Sequence, residues 1–575
     1  MRIHVGTVFG GAALLALSIM MSPVAALADE CGKACGRQQK ACIGVAKNDY
    51  FVARHACLSE PDYAACVRTA LAVRRNTAAL CKQARYEDCT PCCEAAGVSG
   101  INFCATNQGR VLPAAPQQSG DPQVGRENLI AGDVMTCGVP YKIWDIDLLQ
   151  PFIAAGFAGD IDDPPIPGRT GNNANLPYFL TAFTTPEGVD VVNANCLLCH
   201  GSEFDGDLVI GLGNPTRDFT SGAGGGGSFS TDDETLDRFG LNEGEKEQVR
   251  RLFARGAIIG PQTVVRTVGM NPAEMLAVIL MAHHDRDTLA WSETPLFDIV
   301  VRDENGVPIE DPTVTSDPPP WWRVHKKNAL FYNGMARGDH RGTMSAATSV
   351  CVDSVPRALE VDDMFKDINA FIESLRAPAY PREIDGALAD DGRVLFNRDC
   401  AGCHGSYDAD EEEETYPNLL IPLDVVKTDP VVANAGVVHT PELVDWYNQS
   451  FYGLITPLEP NDPFPGYMPP PLDGIWATAP FFHNGSVPTI ELVLNSAARP
   501  TYWRRNNYDS RDFDEDALGW PWTEVELPQA EHEDPEEAKF VYDTTYWSQS
   551  NKGHPFGDHL SGKERKAVLE YLKTL

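Results

Sequence analysis

Two strings in this chain place two thiols and an imidazole at the same spacing. They are Cys196-Leu197-Leu198-Cys199-His200 and Cys400-Ala401-Gly402-Cys403-His404. Two intervening residues in a helical turn set both sulfurs against neighbouring edges of a porphyrin, where they bond its two vinyl carbons. The next residue swings its imidazole beneath the ring to ligate iron. This is the attachment pattern of c-type haem. With 16 cysteines and 13 histidines in 575 residues, about 0.01 such strings are expected by chance. A thioredoxin-like dithiol is the competing reading, but it gives no reason for a histidine directly after both pairs. Cys196, Cys199 and His200 are therefore assigned to one covalently bound haem, and Cys400, Cys403 and His404 to a second. His200 and His404 are the iron ligands.

The remaining cysteines ask for an oxidising compartment. Ten of them lie between Cys31 and Cys104, interleaved with Ala-, Arg- and Lys-rich stretches at helical spacing. They read as short helices stapled by disulfides. Zinc bound at Cys89, Cys92 and Cys93 is the alternative, and export favours disulfides over it. Cys137 and Cys351 complete an even number, and a bridge between them is one pairing that parity alone does not establish. Arg2, the apolar run 5–21 and Ala26-Leu27-Ala28 read as a secretory signal cleaved near Ala28. The expected location is periplasmic or secreted. Cys31 lacks a convincing lipobox, and no later segment is apolar and long enough to span a bilayer.

The elements that carry these motifs come from the rest of the chain. Net charge is −35, which argues against a nucleic-acid partner or docking on anionic lipid and suits a basic electron donor. With 49 glycines and 43 prolines, much of the chain must be loop, turn and short helix. Residues 1–28 are the signal, 29–112 a cysteine-rich helical domain, and 113–125 a Pro/Gln/Gly-rich linker. Two longer units, 126–380 and 381–575, each carry one haem motif and each close with an amphipathic helix, at 361–375 and 561–575. Residues 222–227 read as a flexible loop rather than a phosphate loop, lacking its Lys and its strand-to-helix context. The acidic run 408–414 reads as a solvated loop.

Further strings carry a family resemblance. They include Thr415-Tyr416-Pro417-Asn418, Leu423 to Pro430, Pro471-Leu472-Asp473-Gly474-Ile475-Trp476 running on to Thr489, Asn551-Lys552-Gly553-His554-Pro555-Phe556-Gly557, and the closing Leu569 to Lys573. In the first unit they include His284 to Ser292 and Trp321-Trp322-Arg323-Val324-His325-Lys326-Lys327. Residues 126–575 resemble the bacterial di-haem cytochrome c peroxidase superfamily, most nearly its rubber-oxygenase branch. The resemblance implies a mainly α-helical fold of two cytochrome c-like domains with long ordered loops. To these the cysteine-rich segment adds a small disulfide-stapled helical N-terminal domain. The resemblance also implies that the first haem, on His200, meets peroxide or dioxygen, and that the second moves electrons with a second histidine ligand. The segment around His554 matches the one that supplies this ligand. His200 is thus the catalytic candidate, and His200, His404 and His554 are the metal ligands.

Other residues are candidates for the same roles. His559 rivals His554. Met468 is a thioether candidate against loop packing. His483 reads as a structural contact or a haem-propionate neighbour. His283 and His284 end the apolar helical stretch 272–282 and could line the first haem pocket or merely cap it. Trp321 and Trp322 are either a transfer element between the haems or ordinary core. No residue pattern calls for calcium. The expected activity is that of an exported di-haem oxidoreductase fed by an electron-donor protein or a small reductant. A dioxygenase cleaving an apolar polyisoprenoid or lipid is the second reading, and an electron carrier without substrate the third.

Overall fold

Cap chemistry sets where the helices begin. In the computed structural model the 20-residue helix Val355–Ser374 starts at Ser354, whose side chain accepts from the Arg357 N–H. It buries Val361, Phe365, Ile368 and Ile372, a stripe at helical spacing. That stripe packs on Pro122–Ala131, a helix capped by Asp121. The last helix, Gly562–Leu572, carries a capping box between Ser561 and Glu564. It packs on Gly386–Asp399, whose C-terminal end delivers Cys400. A Cβ at Gly392 would stand 1.9 Å from the Ala567 carbonyl oxygen, so only glycine allows these two helices to approach so closely. The structure describes residues 108–223, 230–310 and 312–575. The signal, the ten-cysteine segment with its disulfide or zinc question, and most of the 222–227 loop lie outside the described residues.

The expectation of a mainly α fold is overturned. The described residues contain eleven strands in three three-stranded sheets and one two-stranded sheet, so the architecture mixes α and β. The reason is visible in side-chain chemistry. Leu180–Thr184 and Asp190–Ala194 form an antiparallel pair rich in β-branched and aromatic residues, joined through Pro186-Glu187-Gly188. Gly201–Phe204 and Asp207–Ile210 form a hairpin whose turn, Asp205-Gly206, has φ of 54° and 88°. An Asp-Gly pair at positive φ matches the twist of its flanking strands, which makes it a strong local hairpin signal. Strands of two to five residues carry too little alternation to stand against the helical fold that the family resemblance implies.

Arg110–Leu575 forms one compact unit. Its largest core cluster joins Phe365 and Ile368 to Leu443, Trp446 and Tyr452, and so draws on both of the long stretches named above. A second cluster gathers Trp322, Phe396, Trp476 and Tyr571. Arg110–Val111 pairs with Leu419–Pro422, which in turn pairs with Gly466–Tyr467. Within 113–125, Gln117 donates to the Gly338 carbonyl at 3.1 Å and accepts from the His340 N–H at 2.8 Å. Among the described residues no helix is long and apolar enough to cross a membrane.

Cys137 and Cys351 are bridged, with a Cα–Cα distance of 5.4 Å and a sequence separation of 214. Cross-linking so long a loop restricts the unfolded chain strongly. Replacing both cysteines by alanine is expected to cost about 2–5 kcal/mol. A chemical denaturation midpoint unchanged from wild type would refute this. Beside the bridge, Asp353 accepts from Arg251 at 2.8 Å and Arg255 at 2.5 Å, with His284 Nε2 at 3.6 Å. Burial works against the Asp353 charge, but His284 and the two guanidinium groups outweigh it and hold the carboxyl below its ordinary range. The stability this contributes is present above the ordinary carboxylate pKa and is lost as pH falls through the lowered one. Asp353→Asn is expected to cost about 2–3 kcal/mol, short of the ~3–5 for a fully buried pair because the Asp353 side chain stays 30% exposed. Thermal melts of the two proteins at neutral pH check the difference.

Candidate haem sites

The first motif is delivered by the Leu180–Thr184/Asp190–Ala194 hairpin. Asn195 follows it and accepts from the Leu197 N–H at 2.8 Å, while its amide donates to the Tyr178 carbonyl at 3.0 Å. This holds the short helix Leu197–His200 against the sheet. Arg217 clamps the same turn. Its Nε donates to the Leu198 carbonyl at 3.0 Å, and its other nitrogens reach Asp163 and the Tyr178 hydroxyl, both at 2.6 Å. The Asn214 N–H donates to the Cys199 carbonyl at 2.9 Å. His200 Nδ1 donates to the Pro319 carbonyl at 3.2 Å. The Trp321 ring stacks on the His200 imidazole, with centroids 4.8 Å apart and planes 22° apart.

The second motif begins where Gly386–Asp399 ends, and Ala401–His404 is again a single helical turn. The Tyr407 hydroxyl donates to the His404 carbonyl at 3.1 Å. His404 Nδ1 donates to the Pro470 carbonyl at 2.9 Å. Facing it is His554, with ring centroids 6.2 Å apart. His554 sits at φ 48°, a region that side chains other than glycine seldom occupy unless the surroundings enforce it. Here its N–H donates to the Val426 carbonyl at 2.7 Å, and Arg499 donates to the Gly553 and Asn551 carbonyls, each at 2.7 Å.

These residues fit c-type haem. A carbonyl oxygen only accepts, so His200 and His404 each carry their proton on Nδ1, leaving the Nε2 lone pair for a metal. Burial pushes His200 down to about 4 and His554 to about 3, and lowers His404, so all three are the neutral imidazoles that ligation needs. Two metal–nitrogen bonds of about 2 Å plus two imidazole ring radii need about 6.3 Å between centroids, which the His404–His554 pair matches. His554 Nδ1 is also buried without a hydrogen-bond partner, an orphan that a metal would satisfy. The thiols Cys196, Cys199, Cys400 and Cys403 are free. Among the described residues no group of three or more His, Cys, Asp and Glu is disposed to hold a bare metal ion. A haem asks the chain only for axial ligands, because its own ring fills the equatorial positions.

The other candidates have partners of their own. His559 pairs with Asp399 at 3.0 Å and keeps 51% of its side chain exposed. Met468 packs with Leu112, Ala329 and Leu420. His483 stacks on Tyr467 at 4.2 Å and shares a 3.0 Å hydrogen bond with its hydroxyl. His283 and His284 bond the Ser292 and Leu280 carbonyls and pack around Trp291. Trp321 and Trp322 lie on a direct connection between the motifs. Trp322 Nε1 and Arg323 Nε both donate to the Asp473 carbonyl, at 2.8 and 3.0 Å. Asp473 stands three residues after the Pro470 that accepts from His404.

Sequence reasoning missed the two proline carbonyls, although the signal is there. The chain holds Pro318-Pro319-Pro320 and Pro469-Pro470-Pro471, and the middle proline of each triplet takes one proximal histidine. Consecutive prolines have no N–H and a fixed φ, so their carbonyls stay unpaired by backbone and open to a side-chain donor.

Residues 466–504 match a family described as RoxA-like, cytochrome c-like. That segment supplies Pro470, Asp473 and Phe482, the last a ring neighbour of His554. Two proteins of Sinorhizobium fredii (strain NBRC 101917 / NGR234), both named as uncharacterized, are similar over part of their length. One, y4iJ, is 30% identical over 35% of this chain and 41% of its own. The other, y4iM, is 24% identical over 46% of this chain and 65% of its own. The chain thus spans less than two thirds of either relative. Residues 466–504 are a cytochrome c-like segment, which links the chain to RoxA-like cytochromes and implies haem c as its cofactor.

Proposed function

We propose that this chain is an exported di-haem c-type oxidoreductase, with a reactive site at Cys196-Cys199-His200 and an electron-transfer site at Cys400-Cys403-His404. The observation that carries the reading is the difference between the two proximal histidines. His404 faces a second imidazole, His554, at 6.2 Å, whereas His200 has the Trp321 ring stacked on it. Haem iron supplies the one-electron chemistry and, where a coordination position is open, the site for dioxygen or peroxide. The chain's residues do the rest. Pro319 and Pro470 orient the two proximal imidazoles and fix their tautomers. His554 closes the far side of the second site. Trp321, Trp322 and the Asp473 carbonyl provide a short bonded path from one proximal histidine to the other. An electron-donor protein or small reductant delivers electrons to the second site, and the net charge of −35 suits a basic donor.

The RoxA-like match at residues 466–504 favours one further reading, a dioxygenase acting on an apolar polyisoprenoid. Turnover with peroxide against turnover with a polyisoprenoid under dioxygen separates the two. Mass spectrometry of the mature chain, made in a host that matures cytochromes c, is expected to show two haem additions. One addition or none defeats the di-haem reading. Failure of the fully reduced protein to bind carbon monoxide leaves an electron carrier instead.

A further inference from the structure

A cavity of about 20 Å³, room for about one water, lies beside the first haem motif. Met270, Trp503, Arg505, Tyr508, Trp520 and Tyr542 are among the residues that line it. Met270 packs in one cluster with Leu198 and Cys199, which sets the cavity next to the haem-binding turn. The opposite wall is the sheet Tyr502–Arg505, flanked by Trp522–Glu524 and Val541–Asp543. Trp503 and Arg505 are two residues apart on its central strand and share a face, and Tyr542 stands directly opposite Trp503 in the register.

The aromatic walls have their polar tips tied to backbone. Trp503 Nε1 donates to the Ser486 carbonyl at 3.1 Å, Trp520 Nε1 to the Ala479 carbonyl at 3.0 Å, and the Tyr542 hydroxyl to the Asn484 carbonyl at 2.6 Å. These rings therefore offer the cavity apolar surface. The Thr267 hydroxyl, also at its edge, donates to the Val541 carbonyl at 3.1 Å.

Arg505 is the exception. It is only 7% exposed, yet its Nε and Nη1 have no hydrogen-bond partner. Its guanidinium lies against Trp520 at 3.7 Å and Tyr508 at 4.6 Å, and these cation–π contacts hold it in place. Burial lowers it to about 10 against an opposing pull from Tyr508 and Asp512, so it keeps its charge at neutral pH. The Asp512 carboxylate accepts from the Asn507 amide instead of pairing with it. A buried cation with unmade hydrogen bonds is costly unless an anion completes it.

We propose that this cavity binds a single halide ion of chloride's size, which accepts from Arg505 Nε and Nη1. Size selects the class: carboxylates, phosphate and sulfate need more than the space of one water. Chemistry separates the ion from water. A buried water makes about three hydrogen bonds and must place its own two O–H bonds, here mostly against ring faces. A halide only accepts, and it also supplies the missing negative charge. Little ordering remains when the ion arrives, because the guanidinium is already fixed. The net charge of −35 repels anions at long range, but salt screens that repulsion beyond about 10 Å at 0.1 M. Binding needs no turnover, so the site stands apart from the redox reading.

The mature holoprotein is titrated with chloride at constant ionic strength, with gluconate as the replacing anion because it is too large for the space. The chlorine NMR linewidth is expected to show a saturable excess that bromide displaces. Arg505→Gln is expected to weaken this binding by at least about 10-fold, since hydrogen bonds to a charged group are lost. An unchanged haem spectrum confirms that the variant is folded. Wild-type crystals grown in bromide are expected to show an anomalous-scattering peak within hydrogen-bond reach of Arg505 Nε and Nη1. That measurement decides the matter should the variant not fold. No saturable excess in wild type, an excess unaltered in folded Arg505→Gln, or bromide crystals without a peak at Arg505 each overturns the proposal.

Discussion

His200→Ala is expected to lower oxidative turnover by more than about 100-fold and to shift the spectrum of the carbon monoxide adduct at the first site of the reduced protein. Loss of a partner that merely supports a ligand costs about 10–100-fold, and His200 is itself the proposed ligand. The effect is separable from loss of the cofactor, because Cys196 and Cys199 remain to hold it. Mass spectrometry of the variant should still count two haem additions. The Trp321 ring loses its stacking partner as well, so the variant also interrupts the proposed path from the second site. Turnover that persists within about 10-fold of wild type would remove His200 from the catalytic role, since even a supporting residue commonly costs that much. Turnover with peroxide, with dioxygen and with a polyisoprenoid should fall together, because all three need the same open position.

His554→Ala is expected to have the opposite signature at the second site. Wild type should be low-spin there, with both axial positions taken by imidazole. The variant should show a new high-spin component and should accept carbon monoxide where wild type does not. Axial ligand identity is one of the main controls on haem potential, so the second midpoint should move while the first stays. Turnover should slow when the natural electron source is limiting and recover when a small reductant is supplied in excess. His554 stands at φ 48°, and alanine tolerates that conformation poorly. His554→Gly is the companion variant, because glycine takes the left-handed backbone without strain. A spectrum unchanged in both variants would exclude His554 as a ligand. His559, paired with Asp399 at the surface, is the control whose replacement should change neither spin state nor potential.

The chain's local chemistry and its long-range packing contributed differently to this picture. Helices with apolar stripes were legible. The helix expected over 361–375 is found as Val355–Ser374, and the one expected over 561–575 as Gly562–Leu572. The strands were passed over because each spans two to five residues, too few for alternation to outweigh the helical motifs, although Asp205-Gly206 announced one hairpin. Met468 looked available as a ligand because a thioether beside prolines reads the same in a loop and in a core. In the fold it packs with Leu112, Ala329 and Leu420.

By itself the sequence determined what depends on neighbours along the chain. These are the two Cys-x-x-Cys-His strings, the single helical turns that carry them, and the apolar stripes of the two helices that close the long units. Spacing within one turn dictates those arrangements whatever the rest of the chain does. Tertiary structure decided what depends on distant residues meeting. It set His554 across from His404, chose Pro319 and Pro470 as the acceptors, laid Trp321 on His200, and joined Cys137 to Cys351. It also folded three short strands into the sheet that leaves Arg505 buried beside an aromatic cavity. The His200–Pro319 and His404–Pro470 bonds join residues 119 and 66 positions apart. At such separations no residue spacing specifies which partners meet. The requirement to bury apolar surface while satisfying every enclosed donor and acceptor makes that choice, and it is met only once the whole core has formed.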